Sequence, residues 1–238
     1  MTGASRGIGR AVALELAREG AHVIAVARTT GALEELDDEI KSAGSSATLV
    51  PFNMTDFAAI DRLGGAIHER WGKLDILVGN AGVGGVMTPV GHIREKDWNQ
   101  TIGVNLTANW RLIRSLDPLL RQSDAGRAVF VTSGLSYMGL PYHGAYAASK
   151  AGLDILVRTY AAEIEQTPIK ANLFGPGRVR TAMQQKLFPG LDLSDLPSPA
   201  DVAPSIVETV LPTQTRSGLT YSYPDGCWLE AQPPKPIV

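Results

Sequence analysis

Short runs of β-branched and aliphatic residues alternate with longer segments of helical periodicity along the whole of this 238-residue chain. Alternation of this kind builds βαβ units, because parallel neighbouring strands need a crossover and the crossover is a helix. The strand runs are His22 to Ala27, Thr48 to Phe52, Leu74 to Val78, Ala128 to Thr132, Lys170 to Phe174 and Leu219 to Tyr223. The helical patterns fall near Arg10 to Glu19, Gly31 to Ala43, Phe57 to Trp71, Trp98 to Gln122, Tyr146 to Gln166 and Pro199 to Leu211. The length suits one well-buried domain and is short for two, and no linker, repeat or low-complexity tract divides the chain. Residues 1–238 are therefore expected to form a single domain with a parallel sheet.

One unit of the alternation is incomplete. Thr2-Gly3-Ala4-Ser5-Arg6-Gly7-Ile8-Gly9 reads as a phosphate-binding turn. Glycines at G-x-x-x-G-x-G spacing let the backbone turn tightly and approach a pyrophosphate, whose charge meets the amides of a helix opening near Ile8. Such a turn follows a strand, yet only Met1 precedes Thr2. That strand belongs in the middle of the sheet, where its loss strips two neighbours of backbone partners. Reading the end onto the beginning, Lys235-Pro236-Ile237-Val238 followed by Met1-Thr2-Gly3 restores the strand-then-turn phrase. Two readings stand. In one the chain is circularly permuted, or its numbering rotated, and Pro236 to Val238 supplies the first strand; in the other the N-terminus is truncated and the tail is unrelated.

A second strand ends about 20 residues beyond the glycine turn, where the adenosine ribose of a dinucleotide would lie. It closes as Val26-Ala27-Arg28-Thr29, without the carboxylate that would accept both ribose hydroxyls of NAD. Arg28 and Arg6 offer paired N–H donors suited to a 2′-phosphate, so NADP (NADPH) is favoured over NAD. Gly79-Asn80-Ala81-Gly82 follows another strand, and its small residues would let the backbone pass close to a flat ligand. Asn105 sits inside a helical pattern, where Asn is unfavourable unless it has a polar task.

Tyr146 and Lys150 stand four residues apart on a helical pattern, which places an ammonium beside a phenol. A phenol titrates near 10 in ordinary surroundings and is a poor acid or base at neutral pH until something shifts it. Ser133 arrives from the strand run that ends at Thr132, able to hydrogen-bond a substrate oxygen beside that phenol. Chance supplies such a Tyr-x-x-x-Lys spacing often enough that it counts only in this company.

Taken together, Thr2 to Gly9, Asn80-Ala81-Gly82, Asn105, Ser133, Tyr146 with Lys150, and Pro176-Gly177 before Thr181 resemble the classical short-chain dehydrogenase/reductase family, in its order and approximate spacing. The resemblance implies a Rossmann-type, doubly wound α/β fold with a parallel sheet of about seven strands, assembled as a tetramer or dimer. It also implies roles. Tyr146 is the expected general acid or base, Lys150 lowers its pKa and binds the nicotinamide ribose, Ser133 holds the substrate oxygen, and Asn105 steadies a water by stabilising a break in its helix. The expected cofactor-binding set is Gly3, Ser5, Arg6, Gly7, Ile8, Gly9, Arg28, Asn53, Met54, Asn80, Ala81, Gly82, Tyr146, Lys150, Pro176, Gly177, Val179 and Thr181. Gly79 departs from the family, which often has Asn there, and the missing first strand departs further.

Bulk properties narrow the partners. Apolar residues make up 44% and charged residues 19% of the chain, and a net charge of −2 gives no basic stripe for nucleic acid or an anionic membrane. A small-molecule carbonyl or alcohol is the expected partner. The single cysteine, Cys227, excludes an internal disulfide and is read as an inert, half-buried thiol. Four scattered histidines lack ligand spacing, so no metal is expected. No apolar stretch approaches a membrane span and no leader is recognisable, so the chain reads as cytoplasmic. Trp98 and Trp110 are read as core or subunit interface. The substrate pocket should be walled by Gly134 to His143 and by a lid at about 182–196 containing Met183, Leu187, Phe188, Leu191, Leu193 and Leu196. Arg178 and Arg180 are expected to meet an acidic substrate or the cofactor pyrophosphate, the second being favoured. A nucleotide-binding or regulatory protein without catalysis is the alternative, and it would not need Asn105, Ser133, Tyr146 and Lys150 together.

Overall fold

In the computed structural model, residues 1–232 are described. They form seven strands and eight α-helices in the expected alternation: α1 Gly7–Arg18, β1 Val23–Ala27, α2 Thr30–Ser42, β2 Ala47–Pro51, α3 Phe57–Trp71, β3 Ile76–Gly79, α4 Glu95–Ile102, α5 Ala108–Leu120, β4 Arg127–Val131, α6 Gly144–Glu163, β5 Lys170–Gly175, α7 Ala182–Leu187, α8 Pro199–Glu208, β6 Thr220–Ser222 and β7 Cys227–Leu229. Local chemistry marks several boundaries. The Asp56 carboxylate accepts from the Ala59 amide at the start of α3, and Gly72 ends that helix at φ +71°. Ser198 and Asp201 close a reciprocal capping box ahead of α8, with Pro199 in the first helical turn.

Strands β3, β4, β5 and β6 run parallel in that order and β7 closes the edge antiparallel to β6, while β1 and β2 form a separate parallel pair. The side-chain period of two along β4 divides the core. Ala128 and Phe130 face a cluster built with Ile60 and Leu63 of α3, Leu112 of α5 and Leu153 of α6. Val129 and Val131 face the opposite cluster, with Leu16 of α1, Leu33 of α2 and Ile206 of α8. Helices therefore cover both faces, which makes the sheet doubly wound and explains why β4 is buried along its whole length.

Between β1 and β3, two residues stand where a central strand belongs. Thr2 bridges Val26 in parallel register, Met1 N donates to Ile24 O at 3.0 Å, and Val26 N donates to Met1 O at 2.9 Å. Toward β3, Thr2 N donates to Val78 O at 3.0 Å. Below them a cleft of about 380 Å³ continues between the pairs, lined by Leu16, Val23, Ile24, Trp71, Leu74 and Ile76. The segment proposed to fill it, Pro236 to Val238, lies outside the described residues.

Three readings need correction. The pattern from Trp98 to Gln122 is two helices, α4 and α5, joined by a π-helical turn at Gly103–Thr107, because the Asn105 side chain is committed to a neighbouring loop. Trp98 and Trp110 are 40% and 42% exposed, which removes the core half of their reading and leaves subunit interface as the alternative. Cys227 is exposed at the β7 edge, a strand without a sequence signal of its own length.

Thr2 carries the join between the sheets. Its hydroxyl accepts from the backbone amides of both Asn80 and Ala81 at 3.1 Å, and the residue is buried. Thr2→Val keeps the shape and leaves two half-buried donors without their acceptor, a loss of about 2 kcal/mol. Urea denaturation should show a lower midpoint with an unchanged slope.

Candidate active site and dinucleotide cleft

At the carboxyl ends of β1 and β3, a cleft of about 800 Å³ opens beside the glycine turn. Gly3, Ser5, Arg6, Gly7, Ile8, Gly9, Arg28, Asn53, Met54, Asn80, Ala81, Gly82 and Thr181, all expected from the sequence, line it. Its floor needs glycine: a methyl group on Gly9 would stand 2.2 Å from Gly3 O, and Gly3 has φ +67°. Asn80 Nδ2 donates to Thr2 O at 3.0 Å, tying the loop after β3 to the turn. The cleft is large enough for a dinucleotide, and a floor without side chains beside the amino end of α1 fits a pyrophosphate. The departure at Gly79 has a packing cause, since a side chain there would collide with the Phe130 ring, 2.3 Å from the first added carbon.

Ser133 follows β4 directly, and α6 delivers Tyr146 and Lys150 from one face. Both are buried, at 8% and 4% exposure. Burial pushes the Tyr146 phenol above its ordinary value, the Ser133 hydroxyl pulls it back, and Asp154 pushes it up again. Lys150 Nζ donates to Val131 O at 2.7 Å and lies 6.0 Å from the centre of the Tyr146 ring. Burial pulls its pKa down to about 8, opposed by Asp154. In this arrangement the ammonium is engaged by the end of β4, and the phenol carries a proton at neutral pH.

Asn105 is fully buried in the π-turn. Its Oδ1 accepts from Val83 N at 2.8 Å, while Nδ2 donates to Val83 O and to Ser149 Oγ, both at 2.9 Å. One side chain thus joins the broken helix, the loop after β3 and helix α6. The groups meet at Gly82: a methyl there would lie 3.5 Å from Asn105 Oδ1 and 3.9 Å from Lys150 Nζ. The polar cluster therefore abuts the dinucleotide cleft at a residue without a side chain.

Tyr146, Lys150, Pro176, Gly177 and Val179 are outside the lining of the cleft itself. Gly177 has φ +66° and a methyl on it would strike Pro224 at 2.4 Å, so the turn after β5 is held against the chain beyond β6. Thr181 accepts from Gln184 N at the start of α7, and its methyl is 3.6 Å from where a side chain on Gly7 would begin. The lid helix α7 closes onto the loop after β3, where a methyl on Gly84 would come 2.7 Å from Leu187. Phe188 stacks on buried His143 at 5.3 Å between ring centres, with the Arg178 guanidinium 5.3 Å from its ring. Arg178 therefore meets the lid aromatic in this structure. Sequence reading missed Asp97, Gln100 and Thr101 of α4, which also line the cleft, as do Met183 and Lys186 of the expected lid segment; the α4 residues belong to no motif, and only folding brings α4 beside the glycine turn. Among the described residues, no group of three or more His, Cys, Asp or Glu could hold a metal ion.

The depressed Lys150 value has a consequence for stability. The folded value lies below the unfolded one, so the unfolded chain binds the extra proton between about pH 8 and the ordinary lysine value of 10.5. The penalty is carried in full below about pH 8 and fades as pH rises toward the unfolded value. Lys150→Met should therefore stabilise the cofactor-free protein at neutral pH, by on the order of 2 kcal/mol. The advantage should shrink as urea titrations are moved to pH 10.

Comparison with known proteins gives the family of the chain. The family model described as short chain dehydrogenase matches residues 1–192. The uncharacterized oxidoreductase YciK of Escherichia coli (strain K12) is 34% identical over 207 residues, covering 86% of this chain and 82% of that protein. The 3-oxoacyl-acyl-carrier-protein reductase FabG of the same organism is 34% identical over 187 residues, covering 79% and 75%. A short chain dehydrogenase from Shigella flexneri, solved in complex with NADP, superposes with a TM-score of 0.88 at 32% identity, covering 93% of this chain and 94% of that one.

Proposed function

The chain belongs to the short-chain dehydrogenase family, and from that premise we propose that it is an NADPH-linked oxidoreductase interconverting a carbonyl and a secondary alcohol. The observation that carries this reading is the convergence of Asn105 and Lys150 on Gly82, at the wall of a glycine-floored cleft, with Tyr146 and Ser133 on the same helix and strand end. The glycine turn would hold the pyrophosphate, Asn53 and Met54 the adenine side, and Asn80 to Gly82 with Pro176 to Thr181 the nicotinamide side. NADPH supplies the hydride when bound.

In reduction, Tyr146 gives its proton to the developing alkoxide while the Ser133 hydroxyl holds the same oxygen, so that charge forms where two donors already stand. Lys150 keeps a positive charge beside the phenol and favours its ionised form at that moment. Asn105 holds the break in its helix and steadies a water through which the proton is restored. Oxidation runs these steps in reverse. Arg6 and Arg28, both exposed at the cleft, form the clamp for the 2′-phosphate. The complex of the Shigella relative with NADP supports that preference.

The substrate is a small carbonyl compound or alcohol under an apolar lid, where Leu187 is buried against Gly84 and Phe188 against His143. The FabG relative makes 3-oxoacyl thioesters one class to include beside ketones, aldehydes and quinones. Residues 1–238 act as one catalytic domain in the cytoplasm; among the described residues no helix is long and apolar enough to cross a membrane. Assembly into dimers or tetramers would cover Trp98, Trp110 and Ile155, large apolar side chains exposed on α4, α5 and α6.

Two variants test the reading against the loss of NADPH absorbance with that substrate panel. Tyr146→Phe should bind NADPH within about twofold of the wild type by fluorescence and lose roughly a hundredfold or more in kcat; retained turnover would reject the acid/base assignment. Arg28→Ala should raise the Kd for NADPH about tenfold or more and leave NADH nearly unchanged, since a guanidinium to phosphate bond contributes about 1.5–3 kcal/mol. Equal effects on both cofactors would remove the phosphate clamp.

A further inference from the structure

Three successive residues at the end of β4 each engage helix α6. The Val131 carbonyl accepts from Lys150, the Thr132 hydroxyl donates to the Asp154 carboxylate, and the Ser133 hydroxyl, which accepts from Leu135 N, lowers the proton affinity of Tyr146. Their partners stand at 146, 150 and 154, one stripe at successive i, i+4 positions. Two members of this set are the proposed acid/base pair; the third, Asp154, has no place in that mechanism. It is nonetheless 6% exposed, and a carboxylate is rarely buried without a task.

We propose that Asp154 is a positioning residue: through Thr132 it fixes the register of Ser133 against Tyr146, and it holds a negative charge behind the Tyr146 and Lys150 pair. This rests on the assignment of Tyr146 as the acid/base group. The groups facing Asp154 are few. From β4 and the turn after it come the hydroxyls of Thr132 and Ser136, and from its own helix Lys150 and Arg158; among the described residues no charged group from β5, α4 or the π-turn acts on its titration. Its negative charge raises the proton affinity of both Tyr146 and Lys150.

The sign of the effect is therefore defined. Removing the charge should let both groups lose their protons at lower pH. Asp154→Asn keeps an acceptor for the Thr132 hydroxyl and removes only the charge. Absorbance titration of the cofactor-free protein, with the Tyr146 step identified by its loss in Tyr146→Phe, should show the phenolate appearing at lower pH in Asp154→Asn, by on the order of half a pH unit. Asp154→Leu, which buries no polar atom in place of the carboxylate, serves the same titration if the amide variant does not fold. A phenolate step unmoved in a folded variant overturns the charge role.

The register role has its own readout. Thr132→Val should lower kcat about tenfold with the KM for NADPH unchanged, and Thr132→Ser, which keeps the hydroxyl, should restore it. Wild-type turnover in Thr132→Val overturns that role. The titration needs no substrate, so a wild type that reduces nothing in the panel would reject the proposed function and leave the proton-affinity result to decide the role of Asp154.

Discussion

Everything at the cleft depends on how Met1 and Thr2 join β1 to β3. Among the described residues, they supply the backbone hydrogen bonds that link the β1–β2 pair to the five-stranded sheet through the middle of the fold. The Thr2 backbone reaches Val26 on one side and Val78 on the other, and its hydroxyl takes the Asn80 and Ala81 amides. Because Gly3 follows at once, the same two residues set the entry angle of the glycine turn. Asn80 then grips that turn from the far side. Backbone pairing at the sheet centre and ligand-binding geometry are thus one set of hydrogen bonds.

The second constraint is burial of charge. Lys150 and Asp154 are both placed in the interior, one beside the proposed acid/base phenol and one behind it. Desolvation works against each charged form, pulling the lysine down and pushing the carboxylate up. Their mutual attraction and the Thr132 hydroxyl offset part of that cost. A protein selected for stability alone would place apolar residues here. The arrangement makes sense as a site whose proton affinities are set by surroundings fixed before substrate arrives.

Much of this was legible in the chain. Strand runs such as Lys170 to Phe174 and helices such as Phe57 to Trp71 coincide with the observed elements to within a residue or two, because uninterrupted apolar runs and amphipathic periods leave little choice once both faces of a sheet are covered. The residues from Gly3 to Gly9 were recognisable since only glycine tolerates their turn and close approach. Asn105 signalled itself by standing in a helix where Asn is unfavourable, and the family resemblance implied a break there; the π-helical form of that break and the loop the side chain satisfies emerged only on folding. Asp97 and Gln100 gave no sign, because their proximity to the cleft comes from the packing of α4.

What the amino-acid sequence determined by itself is therefore the alternation, the family and the chemical kinds present: a phosphate-binding turn, arginines in place of a ribose-binding carboxylate, and a phenol, an ammonium and a hydroxyl at family spacing. These are properties of local pattern, set by near neighbours and by the conformations that glycine alone allows. The tertiary structure decided which groups touch. It brought Asn105 and Lys150 to Gly82, engaged Lys150 with the end of β4 rather than with the phenol, and lined up Asp154 behind both. Those outcomes depend on how β4 and α6 slide against each other, a relation between segments distant in sequence that only the packed core can set.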